Sequence, residues 1–252
     1  VNDVLERQLV NQVFDTNNVN RDDYDTISAK FRGHSYQFDL MDMSNLKSDN
    51  AIGNNPQTAY RWVALIQDVY SRFIWAYPLR SKEAPAIKRT LERFNEDRKA
   101  LQLPLLNFTS DGESGLLSKS VLQYLKNEIT QPPERPPTLW VNKDRELGKF
   151  RTYMVERAIR QIREMLRGAF QLQQDFNWAW PPGAARSVAA ATALDNARSA
   201  GTLIRTIIDQ KNNLDHSSLG NAEWSERNNG VSPTPFNILM DPTLEPMYAE
   251  RE

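Results

Sequence analysis

Three apolar runs rich in β-branched and aromatic residues follow one another before any long helical pattern of the main body begins. They are "YQFDLMDM" from Tyr36, "AYRWVALIQDV" from Ala59 and "RFIWAYPL" from Arg72. The second and third meet at Tyr70-Ser71, and a polar loop with Gly, Asn and Pro from Ser44 to Gln57 separates the first from them, so the runs predict a three-stranded meander. Beyond it the period changes. "KEAPAIKRTLERFNEDRKAL" has helical spacing, "LPLLNFTS" is a short buried strand, "SGLLSKSVLQYLKNEI" is helical, "PTLWVN" is a fifth short strand, and a helix is expected from Tyr153 to Phe176. The alanine-rich run from Ala185 to Asn213 reads as one long C-terminal helix beginning after Pro182. This order predicts an α/β fold in which helices flank a five-stranded mixed sheet, its parallel connections crossing over right-handed through helices.

The ends read as appendages. "VLERQLVNQVF" places Val4, Leu5, Leu9, Val13 and Phe14 at helical spacing, and the Asn/Asp-rich Asp15 to Asp25 follows as linker. The expected organisation is a helical extension and linker over 1–30, a core over 31–212 and an irregular extension over 213–252. With 252 residues the chain can bury a sizeable core. Val1 in place of Met, with no signal-peptide pattern after it, reads as an internal fragment or a processed chain. No long uncharged apolar run is present, so no membrane span is expected.

Composition narrows the chemistry. There is no cysteine, which excludes disulfides and thiolate chemistry, and the two histidines, His34 and His216, lie far apart, so a catalytic metal would rest on oxygen ligands. The net charge of −1 hides a basic stretch from Lys143 to Arg167, which contains Lys149, Arg151, Arg160 and Arg163. Three acidic residues stand where the element order can converge them: Asp39 in the first strand, Asp111 just past the fourth and Glu156 near the start of the helix "MVERAIRQIREML". Carboxylates brought together raise each other's pKa, and such a group suits Mg²⁺ or Mn²⁺. Strand alternation puts Asp42 on the opposite face from Asp39. Asp68 reads as a turn-stabilising carboxylate, Glu113 as loop surface or an alternative ligand, and Trp178 and Trp180 as packing at a helix corner in preference to base-stacking groups.

These residues also carry a resemblance. "YQFD", "YRWVALIQDVYSRFIWAYPLRSK", "FTSDGES" and "VERAIRQIREML" resemble, in order, the successive blocks of retroviral-type DDE integrase catalytic cores. "DLMDMSNL" and "PLRSKEA" are most similar to integrases of Polinton/Maverick transposons, and "HSSLG" with "SPTPFNIL" resembles the end of such a core; the match spans roughly Phe31 to Leu239. The resemblance implies an RNase H-like fold and Asp39, Asp111 and Glu156 as the catalytic, metal-binding triad. It further implies two Mg²⁺ or Mn²⁺ ions, DNA as substrate, self-association and, for a eukaryotic mobile element, a nuclear site of action. Lys149, Arg151, Arg160 and Arg163 are the expected phosphate contacts. The chain departs from the pattern in a long Asp111-to-Glu156 spacing, a proline-rich "PPERPPTLWVNKDRELG", and Ile159 where the family often has Asn. Two alternatives stand beside the integrase: a domesticated, non-catalytic component of a larger assembly, and a hydrolytic RNase H-like nuclease.

Overall fold

A computed structural model of the chain describes residues 29–44, 51–52, 55–127, 138–142, 152–172, 177–184 and 186–248. The expected N-terminal helix lies outside these residues. The meander forms as expected: β1 (Ser35–Asp42), β2 (Trp62–Asp68) and β3 (Ile74–Leu79) pair antiparallel in succession. Helix α1 (Ala84–Ala100) then leads to β4 (Asn107–Asp111), which lies parallel to β1 on its other side. Helix α2 (Lys119–Asn127) follows, and the backbone of β5 (Thr138–Asn142) pairs parallel to β4, giving the order β3-β2-β1-β4-β5. The result is a mixed sheet with β1 at its centre.

Alternation along the strands divides the core in two. Tyr36, Phe38, Ala64, Ile66, Trp75, Tyr77 and Phe108 face one side, where α1 contributes Ile87, Leu91 and Phe94 and α2 contributes Val121 and Tyr124. Met41, Val63, Leu65 and Ile74 face the other, against Val155, Ile159, Ile162 and Leu166 of α3 (Tyr153–Leu172) and the later helices. Trp178 and Trp180 are 0% and 1% exposed within this second layer, the packing role expected of them. Each face thus buries one stripe of helix against one set of alternating side chains, the arrangement that removes most apolar area from water.

The single long C-terminal helix is not formed. Two helices stand in its place, α4 (Val188–Asn196) and α5 (Leu203–Asn213). Between them Arg198, Ser199 and Gly201 take φ of 53°, 59° and 75°, backbone that cannot continue a right-handed helix. Arg198 is drawn out of register to Asp97 of α1, where Nε donates at 2.9 Å, and to Glu96, where Nη2 donates at 2.7 Å. Thr202 then restarts the chain as an N-cap, its side chain accepting from Arg205 N. Beyond Leu214 the chain carries two short helices that the sequence pattern does not predict, α6 (Ala222–Arg227) and α7 (Pro235–Met240). They close a third apolar cluster in which Trp224 and Ile238 pack on Val69, Tyr70 and Met154.

Candidate functional site

The central strand carries the first candidate. Residues 37, 39, 41 and 43 of the β1 region share the face that meets α3, because Met41 and Met43 pack in that layer. Gln37, two residues before Asp39, accepts a hydrogen bond at its Oε1 from Val155 N at 3.1 Å and so docks the first turn of α3 onto β1. Glu156 is the next residue of that turn, and Thr152 Oγ1 donates to its Oε1 at 2.7 Å. Asp111 ends β4, the parallel neighbour of β1. Its loop is held close by Gly115, where a Cβ would lie only 2.2 Å from Lys82 O, so any side chain there would displace the loop.

The electrostatics tie these residues together. Burial, then the Asp111 charge, and more weakly Glu156 and Glu113, push the Asp39 carboxyl up to about 7; the amide of Leu40, which donates to Asp39 Oδ1 at 2.7 Å, pulls the other way. Burial and the Glu113 and Glu156 charges raise Asp111 also, against Lys82. Lys82 Nζ lies 3.7 Å from Glu113. Asp111 Oδ1 is buried with no hydrogen-bond partner. An orphaned carboxylate oxygen beside a second carboxyl that resists ionisation is the situation a hard cation relieves, and oxygen donors of this kind suit Mg²⁺ or Mn²⁺. As the side chains stand, no three His, Cys, Asp or Glu groups among the described residues are close enough to hold one ion. Binding therefore requires the carboxylates to draw in.

The other candidates divide. Asp42 is exposed on the opposite face and accepts from Ser44 N at 2.8 Å, a local turn contact. Asp68 is fully buried and accepts from Gly33 N, Ser71 N and Ser71 Oγ at 2.9, 2.8 and 2.7 Å, the turn role expected of it. Arg160 is exposed on α3, while Arg163 is half-buried and its Nη2 donates to Asp42 O at 3.3 Å. Lys149 and Arg151 lie outside the described residues. A groove of about 710 Å³ that the sequence pattern does not predict is lined by Arg61, Trp62, Arg80, Lys82 and Ser114, among others. Its signal was available: "RSK" directly after β3 places two cations at a strand end, on the loop that meets the one following Asp111.

No protein-family model matches the chain, and no curated protein matches it. Solved structures do. The integrase catalytic core of HTLV-2 in complex with magnesium, in a trimeric form, is 14% identical, with 84% of this chain and 99% of that chain covered at a TM-score of 0.49. An intasome of simian T-cell lymphotropic virus in complex with the PP2A regulatory subunit B56 gamma is 13% identical, with 88% of this chain and 60% of that chain covered at a TM-score of 0.54. At these identities the likeness is one of fold, carried by the second match. The mixed sheet with its flanking helices is a fold that this chain shares with a chain of the simian T-cell lymphotropic virus intasome.

Proposed function

We propose that this chain is the core of a DNA integrase or transposase that cleaves phosphodiester bonds and transfers strands in a metal-dependent reaction. The observation that carries the reading is the convergence of charge, Asp111 and Glu156 acting on Asp39 and Glu156 acting on Asp111, within a fold shared with an intasome chain. Asp39 and Asp111 would hold Mg²⁺ or Mn²⁺ and Glu156 would complete the ligand set; the ions when bound would activate an attacking hydroxyl and stabilise the leaving oxygen. Gln37 positions the Glu156 turn against the strand that carries Asp39. Thr152 orients the Glu156 carboxylate. With its value raised to about 7, Asp39 is about half protonated at neutral pH, and a bound cation would favour its ionised form. Arg61, Arg80 and Lys82 supply cations for a DNA backbone beside the Asp111 loop, with Arg160, Arg163, Lys149 and Arg151 as further contacts.

The finer assignments belong to the same proposal. "DLMDMSNL" and "PLRSKEA" support a Polinton/Maverick type, the core is assigned to 31–212 with extensions on either side, and the intasome neighbour supports DNA and further copies of this chain as partners. The test is strand transfer on a DNA-end substrate with Mg²⁺. Asp39→Asn, Asp111→Asn and Glu156→Gln each abolish it with far-UV dichroism unchanged, whereas Asp42→Asn retains most of the rate. Near wild-type rates in two of the three variants would sink the assignment. A non-catalytic, domesticated role is the second reading, and the open spacing of the carboxylates favours it. It predicts no strand transfer from the wild type under any divalent cation.

A further inference from the structure

On α3, the residue after Glu156 points into different surroundings, about 100° around the helix. Arg157 lines a cavity of about 120 Å³ together with Arg72, Lys211, His216, Gln67 and Ser218, and no Asp or Glu is among its lining residues. Three cationic side chains around a small space repel one another unless an anion sits between them. The strain is visible in the titrating groups: burial and the neighbouring Arg157 pull Lys211 below its ordinary range, and burial with Lys211, Arg72 and Arg157 pulls His216 down to about 4.

The donors are pre-set. Arg72 holds a left-handed φ of 64°, an uncommon conformation for a residue with a side chain, and is fixed by donation from Nη1 to Val69 O at 2.6 Å and by the Tyr248 ring 5.0 Å from its guanidinium. Ser218 closes on His216 Nδ1 with its backbone N at 3.4 Å and its Oγ at 2.9 Å; with the backbone N–H donating, the neutral ring carries its proton on Nε2. Gln67 is 5% exposed; its Nε2 donates to Arg72 O at 3.1 Å, which fixes Oε1 as an acceptor, and Oε1 is buried with no partner. The cavity therefore offers several cationic or N–H donors and one acceptor that lacks a hydrogen.

We propose that this cavity is a phosphate-binding site, with Arg72, Arg157 and Lys211 on the phosphate oxygens, His216 Nε2 donating to a further oxygen, and Gln67 Oε1 accepting from a P–OH. The site does not depend on the catalytic reading, since none of its residues belongs to the carboxylate group. Phosphate at the site comes either free, as hydrogenphosphate, or as the terminal monoester of a nucleic-acid end, each of which can carry a P–OH, and the two sources are separable by competition.

The test uses the full chain at pH 7 and constant ionic strength, with thermal melts and phosphorus NMR titration of sodium phosphate. Phosphate raises the melting temperature above that in chloride and saturates. Arg157→Gln and Lys211→Gln each weaken it by at least about tenfold, as loss of one charge-assisted contact requires, while Arg167→Gln, exposed on the same helix, leaves it unchanged. Arg157 is exposed, so its variant carries the test even where Lys211→Gln unfolds. Sulfate, which has no O–H for Gln67, binds more weakly; equal affinity would overturn the role given to Gln67. A 5′-phosphorylated DNA duplex that displaces the phosphate signal where its unphosphorylated counterpart does not identifies the nucleic-acid end as the source, and a phosphorylated duplex that leaves the signal in place identifies free phosphate; equal displacement by the unphosphorylated duplex would overturn the role given to Gln67. Equal melting in phosphate and chloride, or wild-type affinity in both variants, would overturn the site.

Discussion

At the scale of single residues, Asp39 and Asp111 occupy positions that a sequence optimised for stability alone would fill differently. Asp111 Oδ1 is buried without a partner, and each carboxyl is raised by burial and by its acidic neighbours. Removing one charge relieves the other. Asp111→Asn is therefore expected to raise the melting temperature of the metal-free protein. Mn²⁺ at ten times its Kd stabilises the wild type by about 1.4 kcal/mol, and the variant loses most of that gain. A variant less stable than wild type without metal, in a protein whose melting ignores Mn²⁺, would make these carboxylates structural groups. Asp68 is the contrast: a carboxylate more deeply buried still, it has three hydrogen-bond donors and acts as a turn brace.

At the scale of elements, the free edge of the sheet at β3 is partly covered by α5. Asn212 Oδ1 accepts from Ile74 N at 2.9 Å and its Nδ2 donates to Ile74 O at 2.9 Å, which replaces the missing strand at that residue. Asn212→Leu leaves both backbone groups buried and unpaired and is expected to cost about 2–4 kcal/mol, read as a shift of the urea midpoint with an unchanged slope. A loss under about 0.5 kcal/mol would show that water reaches the edge and repairs it. Helix α3 supports a second prediction. Arg160→Ala with Arg163→Ala weakens binding to unrelated DNA sequences alike and flattens the plot of log K against log salt by about 0.9 per lost contact. Because Arg163 already bonds Asp42 O, Arg160 carries the larger share. An unchanged slope would return both to ordinary surface. What was legible in the sequence follows from these elements. Period-2 runs gave the meander and period-3.6 runs gave α1, α2 and α3, because each buries one face. The α4–α5 break was not legible: alanine favours helix through Ala197, and the interruption depends on Arg198 reaching Asp97 about a hundred residues away. The carboxylate group was readable only as a pattern of ordered blocks, and the phosphate cavity not at all, since Arg72, Arg157 and Lys211 meet only through the fold.

At the scale of the whole molecule, the two sites oppose each other in pH. Asp39 binds its proton more tightly in the fold, with a value of about 7 against about 3.9 for a free side chain, so its contribution to stability is full in acid and is lost as pH rises between those values. His216 does the reverse. Its folded value is about 4 against about 6.5 when free, so its contribution is full above 6.5 and is lost as pH falls toward 4. From about pH 4.5 to 6.5 the folded state holds one more proton than the unfolded state at Asp39 and one fewer at His216, and the two slopes, each at most about 1.4 kcal/mol per pH unit, cancel. Single variants unmask them. Relative to wild type in phosphate-free buffer, Asp39→Asn should gain stability with rising pH across this window, because the downward Asp39 slope is gone. His216→Gln should lose stability with rising pH, because the upward His216 slope is gone. Above about pH 8 both differences become constant, since neither group exchanges protons on unfolding there. Chemical denaturation of the three proteins at half-unit pH steps reads the result, and slopes of the same sign in the two variants would mean that at least one of these groups does not titrate as its surroundings dictate. Phosphate in the cavity would favour the protonated ring of His216, so adding it should shift the His216-dependent slope toward higher pH while leaving the Asp39-dependent slope where it was.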